Sequence, residues 1–416
     1  MVVQVLVIGG GPAGMMAAGQ AAAHGASVTL LEKNDRLGRK LALTGKGRGN
    51  LTNTADLEDF IAQYPGNGAF LYGPLYRFTN DDVCRFFHSL GVPTVEERGG
   101  RVFPASQQAK DLVAALEKFC LQAGVRILRG RRVTGLLAGE KGILGAACGS
   151  ERLEAEAVIL ATGGASYPAT GSTGDGYRLA AAVGHTIVPP RPALVPLLTK
   201  ETWAHELAGL TLKNVTATLL ADGRRLAEEF GEMLFTHDGV SGPIILTVSR
   251  QAAQAAERGQ LTQIRLNLKP ALAEEQLDAR LQRDFAKYRR KQFKNSLHDL
   301  LPKRMIAPVV QLAQIPPELP VNQITKEQRR QLAAVLTGLT LTVTGTRPLA
   351  EAIVTAGGVA TTEINPATME SKIIPGLFFA GEVIDVDGNT GGYNLQAAFS
   401  TGYVAGIFAA AKVLEA

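Results

Sequence analysis

A short apolar run, a glycine cluster and a helix-forming segment at the start of the chain constrain its fold most strongly. Residues Val2 to Ile8 are mostly β-branched, as in a strand buried on both faces, and they end at Gly9-Gly10-Gly11-Pro12-Ala13-Gly14. Met15 to Ala23 is rich in Ala and Met and predicts a helix. A second strand is predicted at Ser27 to Leu31, and Glu32 follows it. This order predicts a βαβ unit of a doubly wound α/β domain.

The glycine spacing meets the requirements of a bound pyrophosphate. Gly9 permits a tight turn, Gly11 lets the backbone approach the phosphates, and Gly14 lets the helix pack closely on the strand. The unpaired N–H groups at the start of the helix then face the anion. The alternative is an ordinary glycine-rich turn of an α/β protein. The complete order of elements favours dinucleotide binding.

Glu32 stands where an acidic side chain binds the ribose hydroxyls of a dinucleotide. An acidic residue here disfavours a 2′-phosphate, so it indicates FAD or NAD rather than NADP. The motif alone does not choose between these two.

Composition limits the class of protein. The chain has 416 residues, 46% of them hydrophobic, and a net charge of +5 from 43 basic and 38 acidic residues, which we take to be spread along it. This mild excess disfavours nucleic acid as a partner. Three separated cysteines indicate a reducing compartment, and no metal-binding cluster is present. Without a leader or an apolar run of membrane-spanning length, we expect a cytoplasmic protein with no membrane contact.

Residues 33 to 53 are rich in Gly, Lys and Arg and contain few apolar residues. Such a segment cannot form core, so it is a solvated basic loop or a loop that wraps a polyanion. The cations in it are Arg39, Lys40, Lys46 and Arg48.

Helical spacing recurs at 81–90 and 106–123, a strand is predicted at 125–128, and a small antiparallel meander is predicted around Val133 and Ile143. Another buried strand then ends at Ala161-Thr162-Gly163. In two-part FAD domains such a strand follows a meander and brings a tight turn to the cofactor, which favours FAD over NAD. Thr173 or Asp175 is the predicted N-cap of the next helix.

Composition changes divide the rest of the chain. Prolines cluster at 189–196, residues 207–268 predict short strands, and residues 271–338 are helical in character. From Leu339 the pattern returns to buried strand. The last strand, Leu377 to Phe379, leads to Gly381, Glu382 and Asp385, and the final helix is predicted at 395–414. Its small residues permit close packing.

Several motifs together resemble those of the HI0933-like flavoproteins, also called the YhiN or BaiN family. They are Gly9-x-Gly11-x-x-Gly14, Thr44-Gly45-Lys46-Gly47-Arg48-x-Asn50, Ala161-Thr162-Gly163-Gly164-x-Ser166, Leu234-Phe235-Thr236-His237-x-Gly239, Thr368-Met369-Glu370-Ser371-Lys372, Gly381-Glu382-Val383-Ile384-Asp385 and Thr390-Gly391-Gly392-Tyr393-Asn394-Leu395-Gln396. The resemblance runs nearly end to end. It implies a discontinuous, Rossmann-like FAD-binding domain of glutathione-reductase type, interrupted by a β-barrel-like domain and a helical subdomain.

We therefore expect an FAD-binding domain in two segments, residues 1–190 and 339–416, around a β-rich insert at 191–269 and a helical insert at 270–338. One residue departs from the family pattern. Members usually carry Cys between Arg48 and Asn50, and this chain carries Gly49. No thiol chemistry can operate at that position here.

The predicted sites follow from the motifs and the resemblance. The expected FAD-binding residues are Gly9, Gly11, Pro12, Ala13, Gly14, Glu32, Lys33, Arg39, Lys40, Thr44, Gly45, Arg48, Asn50, Val133, Ala161, Thr162, Gly163, Gly381, Glu382, Asp385, Gly391, Gly392, Tyr393, Asn394, Leu395 and Gln396. The catalytic candidates are Arg48, Asn50, His237, Tyr393 and Asn394. No metal ligand is predicted.

The expected activity is hydride transfer between bound FAD and a small organic substrate. A second GxGxxG motif is missing, so NADH or NADPH either reduces the flavin without a Rossmann domain of its own or is replaced by another donor. An RNA-modifying flavoprotein that uses the basic helical insert (Lys287-Tyr288-Arg289-Arg290-Lys291) and a non-catalytic flavin-binding protein are the alternatives. The oligomeric state is left open.

Overall fold

The computed structural model describes residues 3–415, so Val2, the first residue of the predicted strand, lies outside the described residues. The helices are α1 (Pro12–Ala23), α2 (Leu57–Ala62), α3 (Tyr72–Arg77), α4 (Asn80–Ser89), α5 (Ala109–Gln122), α6 (Asp175–Ala182), α7 (Thr202–His205), α8 (Pro243–Glu257), α9 (Glu274–Lys287), α10 (Lys303–Leu312), α11 (Lys326–Gly338) and α12 (Tyr393–Leu414).

The strands of the first half are β1 (Val5–Ile8), β2 (Val28–Glu32), β3 (Thr52–Asn53), β4 (Thr94–Glu97), β5 (Arg101–Pro104), β6 (Arg126–Arg129), β7 (Gly135–Gly139), β8 (Gly142–Cys148), β9 (Glu151–Glu154) and β10 (Ala157–Leu160). Those of the second half are β11 (Ile187–Ala193), β12 (Leu197–Thr199), β13 (Thr211–Ala221), β14 (Arg224–Thr236), β15 (Gly239–Ser241), β16 (Thr262–Asn267), β17 (Leu339–Thr346), β18 (Val354–Val359) and β19 (Leu377–Phe379).

The chain forms two compact units, and the first contains residues 1–193 and 349–416. Its central sheet has the order β19-β10-β1-β2-β6 with every pair parallel. A parallel sheet needs cover on both faces, and β1, β2 and β10 are buried along their whole length. The predicted α/β architecture with a Rossmann-like domain is confirmed. The predicted meander is the antiparallel sheet β7-β8-β9.

Helices α1 and α12 pack closely because α12 carries glycine where the two backbones meet. A Cβ atom on Gly402 would lie 2.4 Å from Ala13 O, and one on Gly406 would lie 2.4 Å from Ala17 O. Strand β19 pairs with β10 in the same sheet. The C-terminal segment is therefore an integral part of the fold that the N-terminal segment begins.

The second unit, residues 194–348, contains a closed barrel with the strand order β12-β15-β14-β13-β16-β17. Helices α8, α9, α10 and α11 contribute to the hydrophobic core of this unit, which is separate from that of the first. The inserted β-barrel is thus present.

Two predictions of local structure in this unit were wrong. Helix α8 lies inside the stretch predicted to be only strands, because Ile244, Ile245 and Val248 have β-branched side chains yet are buried in the core of this unit as part of a helix. Strand β17 pairs with β12 and β16 and so belongs to the barrel rather than to the second FAD segment, which was predicted to start at Leu339. The other boundaries of the four predicted domains stay predictions.

Helix α12 bears on the expectation of no membrane contact. By length and composition alone it is apolar enough to cross a membrane, although Asn394, Gln396 and Lys412 interrupt its apolar residues, so it is not a continuous apolar run. Of its most apolar 18-residue window, 61% is buried inside the protein, much of it against α1. A buried core helix satisfies the same criterion, so its composition has a structural reason.

Candidate functional site

The turn between β1 and α1 has the geometry of a phosphate cradle. Helix α1 begins after Gly11 with Pro12 in its first turn, without a side-chain cap or an acidic residue in that turn, so its N-terminal N–H groups are open to an anion. A Cβ atom on Gly14 would lie 1.8 Å from Gly9 O, which shows how closely helix and turn approach. A Cβ atom on Gly11 would meet nothing within 4 Å. These observations fit a dinucleotide pyrophosphate above Gly11.

Glu32 holds the same turn from the end of β2. Its carboxylate accepts hydrogen bonds from Gly10 N at 2.8 Å, from Asn34 N at 2.8 Å and from Asn34 Nδ2 at 2.7 Å. The carboxylate has about four acceptor positions, so one remains for a ribose hydroxyl. Glu32 thus has a structural role besides its predicted contact with the cofactor.

Lys33 is engaged with another part of the unit. Its Nζ donates to Thr173 Oγ1 at 2.6 Å and to Asp175 Oδ2 at 2.9 Å, and Arg132 binds the same carboxylate. Burial alone would raise the pKa of Asp175, but hydrogen bonds from Arg132 and Lys33 outweigh it and lower the pKa to about 2. The predicted N-cap role of Thr173 or Asp175 was wrong. Gly174 is the N-cap, since Asp175 is committed to the two cations.

The basic loop after β2 does not place all of its cations in one position. Arg39 is exposed and donates to Asn34, whereas Lys40 turns inward and donates to Ser166 Oγ and to Glu382 Oε2, both at 2.7 Å. Thr44 Oγ1 donates to Leu41 O, and Gly45 and Lys46 follow with φ values of 58° and 59°.

Val133, another residue predicted to bind FAD, lies between β6 and β7 and is buried in the hydrophobic core.

Glu382 lies at the centre of a cluster from four distant parts of the chain. Besides Lys40, it accepts from Thr355 N at 2.8 Å and from Ser166 Oγ at 3.2 Å. Nearby, Gly381 N donates to Thr401 Oγ1 at 2.9 Å, and Asp385 Oδ2 accepts from Asn67 at 2.9 Å. Glu382 and Asp385, both predicted to bind FAD, are thus held in fixed positions.

The turn after β10 contains a polar atom that lacks a partner. Among the described residues, Thr162 Oγ1 is the one buried side-chain oxygen or nitrogen without a hydrogen bond. Ala161, before it, contacts the first glycine turn closely enough that a Cβ on Gly9 would lie 2.4 Å from Ala161 O. The motif Ala161-Thr162-Gly163 therefore meets the turn after β1.

The start of α12 is fixed against strand β3. Gly392 has a φ of 104°, and a Cβ there would lie 2.2 Å from Thr52 O, so only glycine fits. With its amide turned to suit its neighbours, Asn50 accepts from Gly392 N at 3.1 Å. Thr52 Oγ1 donates to Gln396 Oε1 at 2.6 Å, and Asn53 donates to Gly391 O at 3.2 Å. Helix α12 has no side-chain cap, so its N-terminus is open to a ligand.

Three further catalytic candidates, Arg48, Tyr393 and Asn394, have partners within the first unit, and the fourth, His237, belongs to the barrel unit. Arg48 donates to Gln107 and Glu97 and lies over the Phe103 ring at 4.1 Å. Tyr393 packs edge-on against Phe60 at 4.7 Å and is buried, which raises the pKa of its hydroxyl. Asn394 binds both N and O of Gly388. His237 is exposed in the turn between β14 and β15 of the barrel unit.

Position 49 has no room for the cysteine that is usual in the family. Gly49 has a φ of 80°, and its Cβ would lie 2.9 Å from Ala109 Cα and 2.9 Å from Leu112 Cδ1. The backbone of this loop therefore depends on glycine. Among residues 3–415, no group of three or more His, Cys, Asp or Glu side chains is placed to hold a metal ion.

A buried network around His185 was not predicted. His185 Nδ1 lies 3.1 Å from Glu363 Oε2, and its Nε2 lies 2.9 Å from Ser371 Oγ. Its ring packs edge-on against Phe379, the last residue of β19. Burial lowers the pKa of His185, against the opposing influence of Glu363. The only signal in the sequence was that Ser371 belongs to the family motif Thr368–Lys372, since 178 and 186 residues separate His185 from its partners.

Comparison with known proteins gives one family over nearly the whole chain. Residues 3–408 match the HI0933-like protein Rossmann domain. A 3-dehydro-bile acid delta(4,6)-reductase of Clostridium scindens is 36% identical over 409 residues, 98% of each chain. A ribosomal RNA dihydrouridine synthase of Escherichia coli is 32% identical over 403 residues, 96% of each chain.

A solved structure shows the same fold at low sequence identity. The 3-ketosteroid delta1-dehydrogenase of Sterolibacterium denitrificans has a TM-score of 0.55 and 14% identity, with 98% of this chain and 99% of that chain covered. The family match and the two relatives confirm the resemblance in the motifs. The chain belongs to the HI0933-like family and is an FAD-dependent oxidoreductase.

Proposed function

We propose that this enzyme reduces a carbon–carbon double bond conjugated to a carbonyl group in a small organic substrate. The observation that carries the proposal is the open N-terminus of α12, held against β3 by Gly392 and Gln396. When bound, FAD supplies the hydride chemistry. The N–H groups of α12 would stabilise the negative charge that reduction places on the flavin ring.

The names of the two relatives support this substrate class. By their names, a delta(4,6)-reductase of a 3-dehydro-bile acid and a dihydrouridine synthase both reduce a carbon–carbon double bond near a carbonyl group. A carbonyl group withdraws electrons from the conjugated double bond, so the alkene carbon farther from the carbonyl accepts the hydride. The two relatives differ in the size of the substrate and agree in this chemistry.

Residues of the first unit would bind and orient the cofactor. The start of α1 would hold the pyrophosphate, and Glu32 the ribose. Lys40 fixes Glu382, which would bind the ribitol chain. Arg48 and Asn50 already have protein partners, so we assign them to holding the loop near the ring. NADH or NADPH is the proposed electron donor, and the cytoplasm is the proposed location.

Anaerobic spectroscopy of the purified protein tests the proposal. We expect a bound flavin whose visible absorption falls on mixing with NADH or NADPH and returns on adding a steroid 4-en-3-one. Saturated 3-ketosteroid is the matched control and should leave the flavin reduced. A reduced flavin that the enone does not reoxidise would contradict the proposed substrate class.

A uracil base in ribosomal RNA is the second candidate substrate, and the charge distribution favours it. The barrel unit, residues 194–348, contains 21 of the 43 Lys and Arg but only 15 of the 38 Asp and Glu. The net charge thus resides in this unit and is not spread along the chain as expected from composition. Binding of ribosomal RNA fragments that weakens steeply with salt would support this candidate. No binding at low salt would eliminate it.

A further inference from the structure

A cleft in the barrel unit is separate from the residues assigned to FAD. It has a volume of about 300 Å³, at the lower end of the usual range for small-ligand sites. Part of its lining, which we call the floor, consists of the apolar side chains of Leu212, Val215, Leu268, Leu301 and Met305, and Thr211 adds a polar side chain beside them. An aliphatic floor provides no aromatic face on which a nucleic-acid base would stack.

Two lysines line this cleft. Lys213 comes from β13, and Lys269 follows β16. Among residues 3–415, no hydrogen bond or ion pair neutralises the Lys269 ammonium group, which is partly buried. The nearby carboxylate of Asp284 is already bound by Arg280, with Nε to Oδ2 at 2.9 Å. Burial and the charge of Arg280 lower the pKa of Lys269, against the opposing influence of the Asp284 carboxylate.

The first turn of α10 lines the same cleft. Pro302 is the N-cap of this ten-residue helix, and both Pro302 and Met305 contribute to the lining. The helix has no side-chain cap and no acidic residue in its first turn. Met305 N donates to Pro302 O, so the N–H groups of Lys303 and Arg304 and the helix dipole are what add to the positive potential of the lysines.

We propose that this cleft binds an aliphatic carboxylate, with the hydrocarbon chain on the apolar floor and the carboxylate between Lys269, Lys213 and the start of α10. An aliphatic chain gains free energy on the floor by the hydrophobic effect, and the carboxylate forms the direct ion pair that Lys269 lacks within the described residues. This site is independent of the proposed reductase activity, because none of its residues belongs to the FAD-binding unit.

Calorimetric titration of the FAD-loaded protein with octanoate tests the proposal, with octanamide as the neutral analogue. We expect octanoate to bind more tightly than octanamide. The Lys269→Met variant should weaken octanoate binding about tenfold or more, since a hydrogen bond to a charged group is lost. Lys269→Arg should retain binding, and Lys326→Met, at an exposed lysine of the same unit, serves as the matched control.

The flavin spectrum and the melting temperature verify that each variant is folded. Equal affinity for octanoate in the wild type and in folded Lys269→Met would overturn the proposal. Equal affinities of the wild type for octanoate and octanamide, or no binding of octanoate at millimolar concentration, would do the same. The heat of octanoate binding does not depend on turnover. A failure of this proposal can therefore be distinguished from a failure of the proposed reductase activity.

Discussion

Gly11 allows cofactor binding to be separated from folding at a single residue. Its Cβ would meet nothing within 4 Å in the protein, and its φ of −79° suits any residue. We expect Gly11→Val to fold but to lose FAD, because the side chain would occupy the space that the pyrophosphate needs. The flavin content after gel filtration and the melting temperature of the apoprotein measure the two effects.

Gly14→Val is the informative comparison for Gly11→Val. Its Cβ would lie 1.8 Å from Gly9 O, so this variant should lose stability as well as flavin. A yellow Gly11→Val protein with normal flavin content would rule out the phosphate cradle at α1.

His185 should make stability depend on pH. Its pKa in the folded protein is lowered by burial, so the unfolded chain binds the proton more readily. The stabilisation is complete above the ordinary histidine pKa of about 6.5 and is lost as the pH falls below it. We expect a lower free energy of unfolding at about pH 5.5 than at about pH 7.5.

The His185→Gln variant isolates this effect in urea unfolding at the two pH values. The difference between them should shrink, because glutamine does not titrate. An unchanged difference would show that other groups cause the pH dependence. No partner of His185 could be predicted from local spacing, since both of its partners come from the C-terminal segment.

At the scale of elements, the close contact between α1 and α12 predicts that a glycine-to-alanine substitution, which normally stabilises a helix, will destabilise this protein. Replacing a helical glycine by alanine usually stabilises a helix by up to about 1 kcal/mol. In Gly406→Ala the new Cβ would lie 2.4 Å from Ala17 O, a backbone atom that cannot move freely. We expect a net loss of about 1–3 kcal/mol in the free energy of unfolding, measured in urea.

Gly338→Ala in α11 is the matched control, because its Cβ would meet only Arg265 Cδ at 4.0 Å. This variant should be neutral or slightly stabilised. If Gly406→Ala were stabilised to the same degree, the helices would not be in the close contact described.

The sequence predicted those elements whose pattern is local. The strand, glycine turn and helix from Val5 to Ala23 are one example, and α12, which begins two residues before the predicted Leu395, is another. Helix α8 was missed because β-branched residues in its first two turns favour a strand locally. The Lys40–Glu382 pair joins residues 342 positions apart, which no periodicity indicates.

At the scale of the whole molecule, strand β17 decides where the barrel unit ends. It pairs with both β12 and β16, so its removal would open the barrel and expose two strand edges. We expect the fragment 194–348 to show a cooperative thermal transition by circular dichroism. The fragment 194–338, which ends at the boundary predicted from sequence, should aggregate or melt without cooperativity. Identical melting of both would show that β17 is dispensable.

The pairing of β19 with β10 and of α12 with α1 also sets the order in which the enzyme can mature. During synthesis the first glycine turn emerges early, and residues 194–348 must be translated before α12 exists. The barrel unit has its own core and can condense in that interval. We therefore expect FAD loading to be a late event, and translation that stalls before residue 393 to yield a chain with a folded insert and an incomplete dinucleotide site.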